Sequence, residues 1–360
     1  MKKIDLDICK AKTLSGRFYT SKTNFNDSIE KIFANSWQFI SDDTMLQQDR
    51  EAQPFQFLDN IIPERLVLIN NKGKINCFSN VCTHRGNILI NKPSKINNTI
   101  VCGYHGKQFS TCGKFKFMPA TDGMKNFPSN DDNLPEIPTS KWKQFIFSSL
   151  DPKFNFSELF TEIDERIGWM PIEEFKFRKE LSKNYSVNAN WALYCDNYLE
   201  GFHIPFIHKD LNDVLDFNNY EVEVNKYSIL QLGIASEDDI CFNLPKSSID
   251  YGKNIAAYYF WLYPNLMLNF YPWGLSVNII KPVSVNKTNV VFRSYVWDES
   301  KLNTGAGADL DKVELEDEEI VQQVQKGIES RFYKSGRFSP KMEKGVHHFH
   351  YLISNFMSNK

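Results

Sequence analysis

The spacing of hydrophobic and polar positions divides the chain into three stretches. In the first, residues 1–36, the apolar residues Ile29, Ile32 and Phe33 recur at helical spacing. They follow Asn26-Asp27-Ser28, residue types that favour a helix N-cap because their side chains accept hydrogen bonds from unpaired backbone N–H groups. We therefore predict one amphipathic helix that begins near Ser28.

The second stretch, residues 37–152, has the pattern of a small all-β domain. Short apolar or alternating runs, such as residues 66–69 and 145–147, are separated by Asn, Gly, Pro and Asp. Such runs are typical of strands, and the residues between them favour turns.

The third stretch, residues 153–360, mixes helical and strand patterns. Helices are predicted at 156–167 and, with a strongly acidic sequence, at 313–330. Strands are predicted from runs at 221–224, 258–263, 266–271, 275–282 and 290–296. An antiparallel sheet with flanking helices follows, so the fold class of the whole chain is α+β.

Composition narrows the class of protein. With 360 residues and 42% hydrophobic residues, the chain can bury two cores. A formal charge of −2 gives no electrostatic footprint for nucleic acid or an anionic membrane. Pro264, Pro272 and neighbouring asparagines interrupt the most apolar window, so no membrane span is expected. Seven widely spaced cysteines and a charged N-terminus predict a reduced, cytoplasmic protein.

Two short loops carry the first candidate chemistry. Cys82-Thr83-His84 is followed, after seventeen residues, by Cys102-Gly103-Tyr104-His105. Two thiolates and two imidazoles suit a tetrahedral zinc or an iron–sulfur cluster. Each loop supplies one Cys and one His, which favours a Rieske [2Fe–2S] cluster with Cys82 and Cys102 on one iron and His84 and His105 on the other. Structural zinc stays as the alternative.

A second pair of histidines, His203 and His208, lies in the third stretch. Asp196 and Glu200 precede His203 at positions that one straight helix would align on a single face. Pro205 would bend the backbone and allow both imidazoles to converge on one metal. Two His with a carboxylate form the facial triad of non-heme Fe(II) oxygenases. Two histidines at this spacing are weak evidence for a metal site by themselves. The presence of the cluster motif in the same chain strengthens that interpretation.

Together, these stretches resemble Rieske non-heme iron oxygenase α subunits, the ring-hydroxylating oxygenase family. The resemblance runs from Gly16-Arg17-Phe18-Tyr19 to the C-terminal tail. It implies a [2Fe–2S] domain at 37–152 and a helix-grip catalytic domain with mononuclear Fe(II) at 153–360. Residues 1–36 are then expected to pack on the catalytic domain.

The resemblance also implies roles for two acids. Glu200, three residues before His203, corresponds to the residue that bridges the iron histidine to a cluster histidine of the neighbouring subunit, and a homotrimer is implied. The third iron ligand is expected at Asp317, because in relatives an Asp lies eight residues before the Gln of a sequence that resembles Val324-Gln325-Lys326-Gly327. Glu316 and Glu318 remain alternatives.

Within the family, the chain looks most like oxygenases of quaternary amines. This resemblance implies hydroxylation of a choline-, betaine- or carnitine-like substrate with O2 and electrons from an NAD(P)H-dependent reductase or a ferredoxin. Six aromatic residues are candidates for binding the trimethylammonium group by cation–π attraction: Tyr194, Phe202, Phe206, Trp261, Tyr263 and Trp273. The alternatives are an aromatic-ring dioxygenase or O-demethylase and, in another class, a non-enzymatic Rieske electron-transfer or ligand-binding protein.

Three further features lie outside these motifs. Lys107 stands where many relatives carry Trp, and we predict that it is solvated. Cys112 is predicted to be a core thiol and not a ligand. The tail His347-His348-Phe349-His350 is predicted to be a packing element, with His347 and His350 as minor candidates for touching substrate.

Overall fold

The computed structural model describes residues 2–59, 61–207, 221–235, 240–308 and 310–358. The chain divides into two units, one of Ala34–Lys153 and one of Met1–Phe33 with Phe154–Lys360. Helices and antiparallel sheets are both present, so the α+β prediction is confirmed.

The Ala34–Lys153 unit is built from short antiparallel strands in three sheets, β5-β2-β3-β4-β9, β1-β11-β10 and β6-β7-β8. Their buried side chains, among them Val67, Ile69, Phe78 and Phe109, form one hydrophobic core. The strands are β1 (Gln38–Asp42), β2 (Glu51–Leu58), β3 (Ile62–Asn71), β4 (Lys74–Ser79), β5 (Ser94–Lys95), β6 (Ile100–Val101), β7 (Gln108–Phe109), β8 (Phe115–Phe117), β9 (Glu136–Ile137), β10 (Thr139–Trp142) and β11 (Phe145–Ser148).

The other unit contains a seven-stranded antiparallel sheet in the order β12-β18-β17-β16-β15-β14-β13. Its central strands are buried almost throughout, because helices and loops cover the sheet, and their sequences are correspondingly apolar. The strands are β12 (Lys176–Val187), β13 (Glu221–Val224), β14 (Ser228–Ile234), β15 (Ile255–Leu262), β16 (Leu266–Tyr271), β17 (Gly274–Ser284) and β18 (Lys287–Val296).

The helices of this unit come from both ends of the chain and from its middle. They span Gly16–Thr20, Lys22–Ser28, Ser157–Ile167, Trp191–Tyr198, Ile204–Ile207, Leu310–Ile328 and Lys344–Ser358, with a π-helical turn at Ile29–Phe33. We call Leu310–Ile328 the acidic helix and Lys344–Ser358 the C-terminal helix. Short 3-10 turns lie at Thr44–Leu46, Asn130–Asp132, Ile172–Glu174, Glu299–Lys301 and Gly305–Gly307.

Most predicted elements are present. Strand β14 and the C-terminal helix were not predicted, and two further differences have a local cause. The helix expected to begin near Ser28 begins at Lys22, because the hydroxyl of Ser21 accepts the N–H of Asn24 and caps it there. Strand β12 was not predicted, because most of its residues are exposed and it carries few apolar positions. No helix within the described ranges combines the length and apolar composition needed to cross a membrane.

Candidate metal centres

Two loops of the Ala34–Lys153 unit share one backbone conformation. In each of the loops 82–87 and 102–107, the cysteine N–H donates to the carbonyl five residues later at 2.8 Å, and the glycine N–H donates to the cysteine carbonyl at 3.0 Å. Gly86 and Gly106 have φ angles of 72° and 71°, which glycine adopts without strain. The repeated geometry presents both Cys-His pairs in the same way.

Both thiols of these loops lie in the hydrophobic core, each cysteine only 2% exposed. Burial raises the pKa of Cys82. Burial acts in the same direction on Cys102, but hydrogen bonds from the N–H groups of Tyr104 and His105 outweigh it and lower the pKa of that thiol. The Nδ2 of Asn87 also lies 3.7 Å from the Cys102 sulfur. The surroundings of Cys102 therefore favour negative charge on its sulfur.

The imidazoles of the two loops lie against each other, edge to face. The ring centroids of His84 and His105 are 4.7 Å apart. Nδ1 of His105 is buried and has no hydrogen-bond partner in the described part of the chain. A buried nitrogen in this state is costly unless a ligand takes its lone pair. Two buried thiols beside two imidazoles, one with an orphaned nitrogen, fit the donor set of a Rieske cluster.

No group of three His, Cys, Asp or Glu side chains converges on one ion position in the described ranges. A Rieske cluster does not need such a group, since each iron takes only two protein ligands. The second predicted iron histidine, His208, lies outside the described residues, and so two of the three predicted iron ligands are described.

Two predictions about neighbouring residues are wrong. Lys107 is not solvated: the residue is 1% exposed, and its ammonium binds Asp132 at 2.8 Å. A hydrogen-bonded counter-charge offsets the desolvation that would otherwise keep a lysine at the surface. Cys112 is not in the core but exposed, because it lies in the turn between β7 and β8.

The predicted iron motif begins in the helix Trp191–Tyr198. Asn190 caps this helix by accepting the Ala192 N–H, and its Nδ2 is fixed to the carbonyls of Tyr19 and Val285. The helix ends at Tyr198, so Asp196, Glu200 and His203 do not share one helical face as predicted. In the turn that follows, Glu200 and His203 point in directions that differ from those they would have on a continued helix. Pro205 lies in the first turn of the next short helix, where proline is tolerated.

This turn brings Glu200 onto His203. Oε1 of Glu200 lies 2.7 Å from Nδ1 of His203, and Oε2 accepts the backbone N–H groups of Phe202 and His203. A carboxylate at this distance holds the proton on Nδ1 and leaves the Nε2 lone pair for a metal. Nε2 lies 3.5 Å from Oδ1 of Asp317. An imidazole nitrogen and a carboxylate oxygen therefore point toward one position.

Asp317 belongs to the acidic helix, and Asn197 donates to its Oδ1 at 2.6 Å. The alternatives behave differently: neither Glu316 nor Glu318 lines the cavity beside His203. Asn197, which the sequence motifs did not single out, fixes the orientation of the Asp317 carboxylate. The sequence carries no signal for this contact, because Asn197 and Asp317 are 120 positions apart.

A cavity of about 130 Å³ adjoins His203 and Asp317. This is roughly ten times the volume that one water molecule needs, so a small organic molecule can enter. The described residues that line it include three acids, five aromatic rings and four amides, namely Glu200, Glu314 and Asp317; Tyr194, Tyr198, Tyr259, Tyr271 and Phe292; and Asn197, Gln231, Asn269 and Asn278.

Of the six aromatic residues predicted to line the pocket, only Tyr194 does so. Phe202 and Phe206 are 43% and 73% exposed. Trp261, Tyr263 and Trp273 are buried in the core without reaching the cavity. Ring type alone does not specify which rings reach the cavity. Tyr259 and Trp261 lie on the same face of β15, and of these two only Tyr259 lines it.

Glu314 is the cavity residue that the sequence analysis missed. It is 5% exposed, its Oε2 accepts the Tyr194 hydroxyl at 2.5 Å, and its Oε1 is buried without a hydrogen-bond partner among the described residues. Burial, with the nearby carboxylates of Asp317 and Glu318, raises its pKa well above the ordinary value, although the hydrogen bond from Tyr194 opposes the shift. The hydrogen-bond partners of Glu314 in the described part of the chain therefore include no positive charge for its ionised form.

The C-terminal helix packs as predicted, and none of its histidines lines the cavity. Nδ1 of His350 accepts the Leu14 N–H at 3.1 Å, so Nε2 carries the proton and donates to Asp196 at 2.8 Å. Tyr19 donates to the other oxygen of Asp196 at 2.8 Å. His350 thus anchors the helix that carries the motif.

Sequence comparison agrees with the class of protein that this fold and site define. Residues 174–240 and 243–359 match the catalytic domain of the ring-hydroxylating α subunit, and residues 36–128 match the Rieske [2Fe–2S] domain. The chain belongs to the family of Rieske ring-hydroxylating oxygenase α subunits. It is an oxygen-incorporating oxidoreductase with a [2Fe–2S] cluster and a mononuclear iron, which sets aside the non-enzymatic alternative.

Similar proteins of known activity include quaternary-amine oxygenases. The chain is 28% identical to the chloroplastic choline monooxygenase of Arabidopsis thaliana, over 96% of this chain and 82% of the relative. It is 27% identical to the carnitine monooxygenase oxygenase subunit of Escherichia coli K12, over 96% and 94% of the two chains.

Solved structures share the fold. The quaternary ammonium Rieske monooxygenase CntA superposes with a TM-score of 0.76 at 23% identity, over 99% of this chain and 100% of the other. Naphthalene 1,2-dioxygenase with bound indole gives a TM-score of 0.69 at 16% identity, over 97% and 92%. The fold is therefore common to enzymes of both substrate classes, and the cavity must discriminate between them.

We predict that Asp317→Ala removes the mononuclear iron and all hydroxylation while the cluster spectrum stays unchanged. The reason is that Asp317 supplies the carboxylate beside His203 Nε2. Iron per chain, measured together with visible absorption, should fall from about three to about two, because the cluster holds two irons and the facial triad one.

The control is Glu319→Ala, an exposed acid of the same helix, which should keep its full iron content. Retained iron in Asp317→Ala would move the ligand to Glu316 or Glu318.

Proposed function

We propose that this chain hydroxylates a small quaternary amine of the choline, betaine or carnitine type. The observation that carries the proposal is the lining of the cavity beside His203 and Asp317. Its described residues combine three carboxyl groups and five aromatic rings with no Lys or Arg side chain. Such a surface favours a cation over a neutral aromatic ring or an anion.

Charge is the first argument. A mononuclear Fe(II) beside His203 would use the Asp317 carboxylate, and Glu200 is hydrogen-bonded to the His203 ring. Glu314 remains without a cation: its Oε1 is buried and has no hydrogen-bond partner in the described residues. A trimethylammonium group near Glu314 would supply the missing counter-charge and lower its raised pKa.

The rings supply the second argument. A quaternary ammonium has no N–H and cannot donate conventional hydrogen bonds, so ring faces and carboxylates are its natural partners. Tyr259 and Tyr271 lie 5.9 Å apart in an edge arrangement on neighbouring strands, and both line the cavity. Each favourable ring contributes about 0.5 to 2 kcal/mol to cation binding.

Polar side chains on the sheet wall suit the other end of such a substrate. Asn269 accepts the Tyr198 hydroxyl at 2.6 Å, and Asn278 accepts the Ser276 hydroxyl at 2.9 Å. All four residues line the cavity. Amide and hydroxyl groups held in this way can bind the hydroxyl or carboxylate that choline-, betaine- and carnitine-like molecules carry.

The metal centres are assigned to the residues of the two motifs. Cys82, His84, Cys102 and His105 would hold the cluster in residues 37–152, while His203, His208 and Asp317 would hold the iron in residues 153–360. The cluster supplies single electrons, and the iron, as a redox metal with open positions, allows O2 to be activated. Residues 1–36 complete the catalytic domain in this proposal.

Glu200 acts through His203 in this account. It holds the Nδ1 proton and fixes the ring, so that Nε2 keeps one direction. The negative charge of Glu200 also raises the basicity of the ligand. As in the family pattern, the same carboxylate would bridge to a cluster histidine of the neighbouring chain.

Partners and assembly complete the proposal. We infer that a separate NAD(P)H-dependent reductase or ferredoxin donates electrons, that O2 is the oxidant and that the protein works in the cytoplasm. The structure of CntA is described as giving insights into inter-subunit electron transfer. This supports an assembly of identical chains, which we propose to be a homotrimer.

We predict that Glu314→Gln raises KM for quaternary amines by about tenfold, equivalent to about 1.4 kcal/mol of binding free energy. The variant keeps the size of the side chain and removes its charge. The measurement is product formation from a panel of quaternary amines and aromatic compounds, with a surrogate reductase as electron source.

Glu319→Gln, which removes the same charge from the exposed face of that helix, should behave as wild type. Turnover of aromatic compounds alone, or an unchanged KM in Glu314→Gln, would count against the quaternary-amine proposal.

We predict that Glu200→Gln binds both metals, allows normal reduction of the cluster and loses about 10- to 100-fold of its turnover, the usual effect of removing a partner of a ligating histidine. The amide oxygen of glutamine can still accept a hydrogen bond from the Nδ1–H group of His203, but the side chain carries no charge. Iron and cluster content are the internal controls. Wild-type electron transfer from cluster to iron in single-turnover experiments, or a monomer that works at full rate, would contradict the bridging role.

A further inference from the structure

Lys107 is among the most deeply buried charged groups of the Ala34–Lys153 unit. Its side chain is 2% exposed, and its Nζ donates to Oδ1 of Asp132 at 2.8 Å. The ammonium also lies 5.7, 5.4 and 5.9 Å from the ring centroids of Phe109, Phe115 and Phe127. Three ring faces and one carboxylate therefore stabilise the cation in place of water.

The ion pair is bonded to both loops that carry the cluster motif. The carbonyl of Lys107 accepts the N–H of Cys102 at 2.8 Å. The carbonyl of Asp132 accepts the hydroxyl of Thr83, which lies between Cys82 and His84, at 3.0 Å. Each member of the pair thus touches a different ligand loop.

Asp132 is held as the charged partner. The backbone N–H of Ser129 donates to its Oδ2 at 2.8 Å. Burial opposes ionisation of this carboxyl, but the hydrogen bonds from Lys107 and Ser129 outweigh it and lower the pKa of Asp132. Asp132 is therefore the negative partner of the Lys107 ammonium.

We propose that the buried Lys107–Asp132 ion pair sets the reduction potential of the [2Fe–2S] cluster held by the two loops. The inference rests on the proposed ligands Cys82, His84, Cys102 and His105. The potential of such a cluster depends on nearby charge and solvent exposure, and a charge removed from water is screened little. Reduction adds one electron, so the Lys107 cation favours the reduced cluster and the Asp132 anion disfavours it.

The experiment is a redox titration of the holoenzyme with dithionite at fixed pH, in which circular dichroism follows the one-electron reduction of the cluster. Lys107→Met should make reduction less favourable by about tenfold, a midpoint shift of about 59 mV for a one-electron couple. Asp132→Asn, which leaves the lysine stem and the rings in place, should shift the midpoint in the opposite direction.

Two further variants separate charge from packing. Lys107→Arg keeps the charge and should keep the midpoint close to that of the wild type. Lys116→Met removes an exposed lysine of strand β8 and should leave the midpoint unchanged, because solvent screens that charge.

Opposite shifts in Lys107→Met and Asp132→Asn support the proposal. Shifts of the same sign, or shifts no larger than that of Lys116→Met, overturn it, because a purely structural role would loosen the loops in both variants alike. If Lys107→Met fails to assemble its cluster, Asp132→Asn alone decides by the sign of its shift. A wild-type protein without a Rieske spectrum would instead overturn the ligand assignment on which the inference rests.

Discussion

The catalytic unit depends on a row of hydrogen bonds between the helix Trp191–Tyr198 and the acidic helix. Asn197 binds Asp317 at 2.6 Å and Tyr194 binds Glu314 at 2.5 Å. Because Glu314 and Asp317 are three residues apart, they lie on one face of their helix, and both reach the cavity. These hydrogen bonds fix the distance between the turn that carries His203 and the Asp317 carboxylate.

Further hydrogen bonds hold both ends of this helix. Asn190 caps its N-terminus, and the backbone N–H of Asn190 donates to the side-chain oxygen of Gln325 at 2.9 Å. Near the C-terminus of the helix, His350 donates to Asp196. Gly345 allows the C-terminal helix to approach the end of this segment, since a Cβ there would lie 2.5 Å from the Leu199 carbonyl oxygen. These contacts hold the segment that carries Glu200 and His203.

The sequence predicted the class of metal chemistry better than it predicted which side chains surround the metal sites. The loops of Cys82 to His105 are local, and the central strands follow apolar runs, so spacing and periodicity were sufficient for both. The direction of a side chain after a helix end, as at Glu200, depends on a turn that no periodicity describes. Lys107 was misassigned for a related reason: its partners, Asp132 and three rings, are distant in sequence, and burial of a lysine depends on such partners.

The aromatic residues that line the cavity were also poorly predicted from the sequence. The candidates were chosen by residue type, but the position of a ring along its strand decides whether it reaches the cavity. Tyr259 and Tyr271 do, whereas Trp261 and Trp273 fill the core. In this chain the cavity also receives carboxyl groups from Glu314 and Asp317 of the acidic helix.

The most direct test of the account compares each quaternary amine that the enzyme oxidises with its neutral isostere, in which carbon replaces the ammonium nitrogen. The two molecules have the same shape and differ in charge, so the ratio of their kcat/KM values isolates recognition of the cation. The account predicts that kcat/KM for the neutral isostere is lower by at least about tenfold, or about 1.4 kcal/mol. Equal or faster oxidation of the neutral isostere would contradict it.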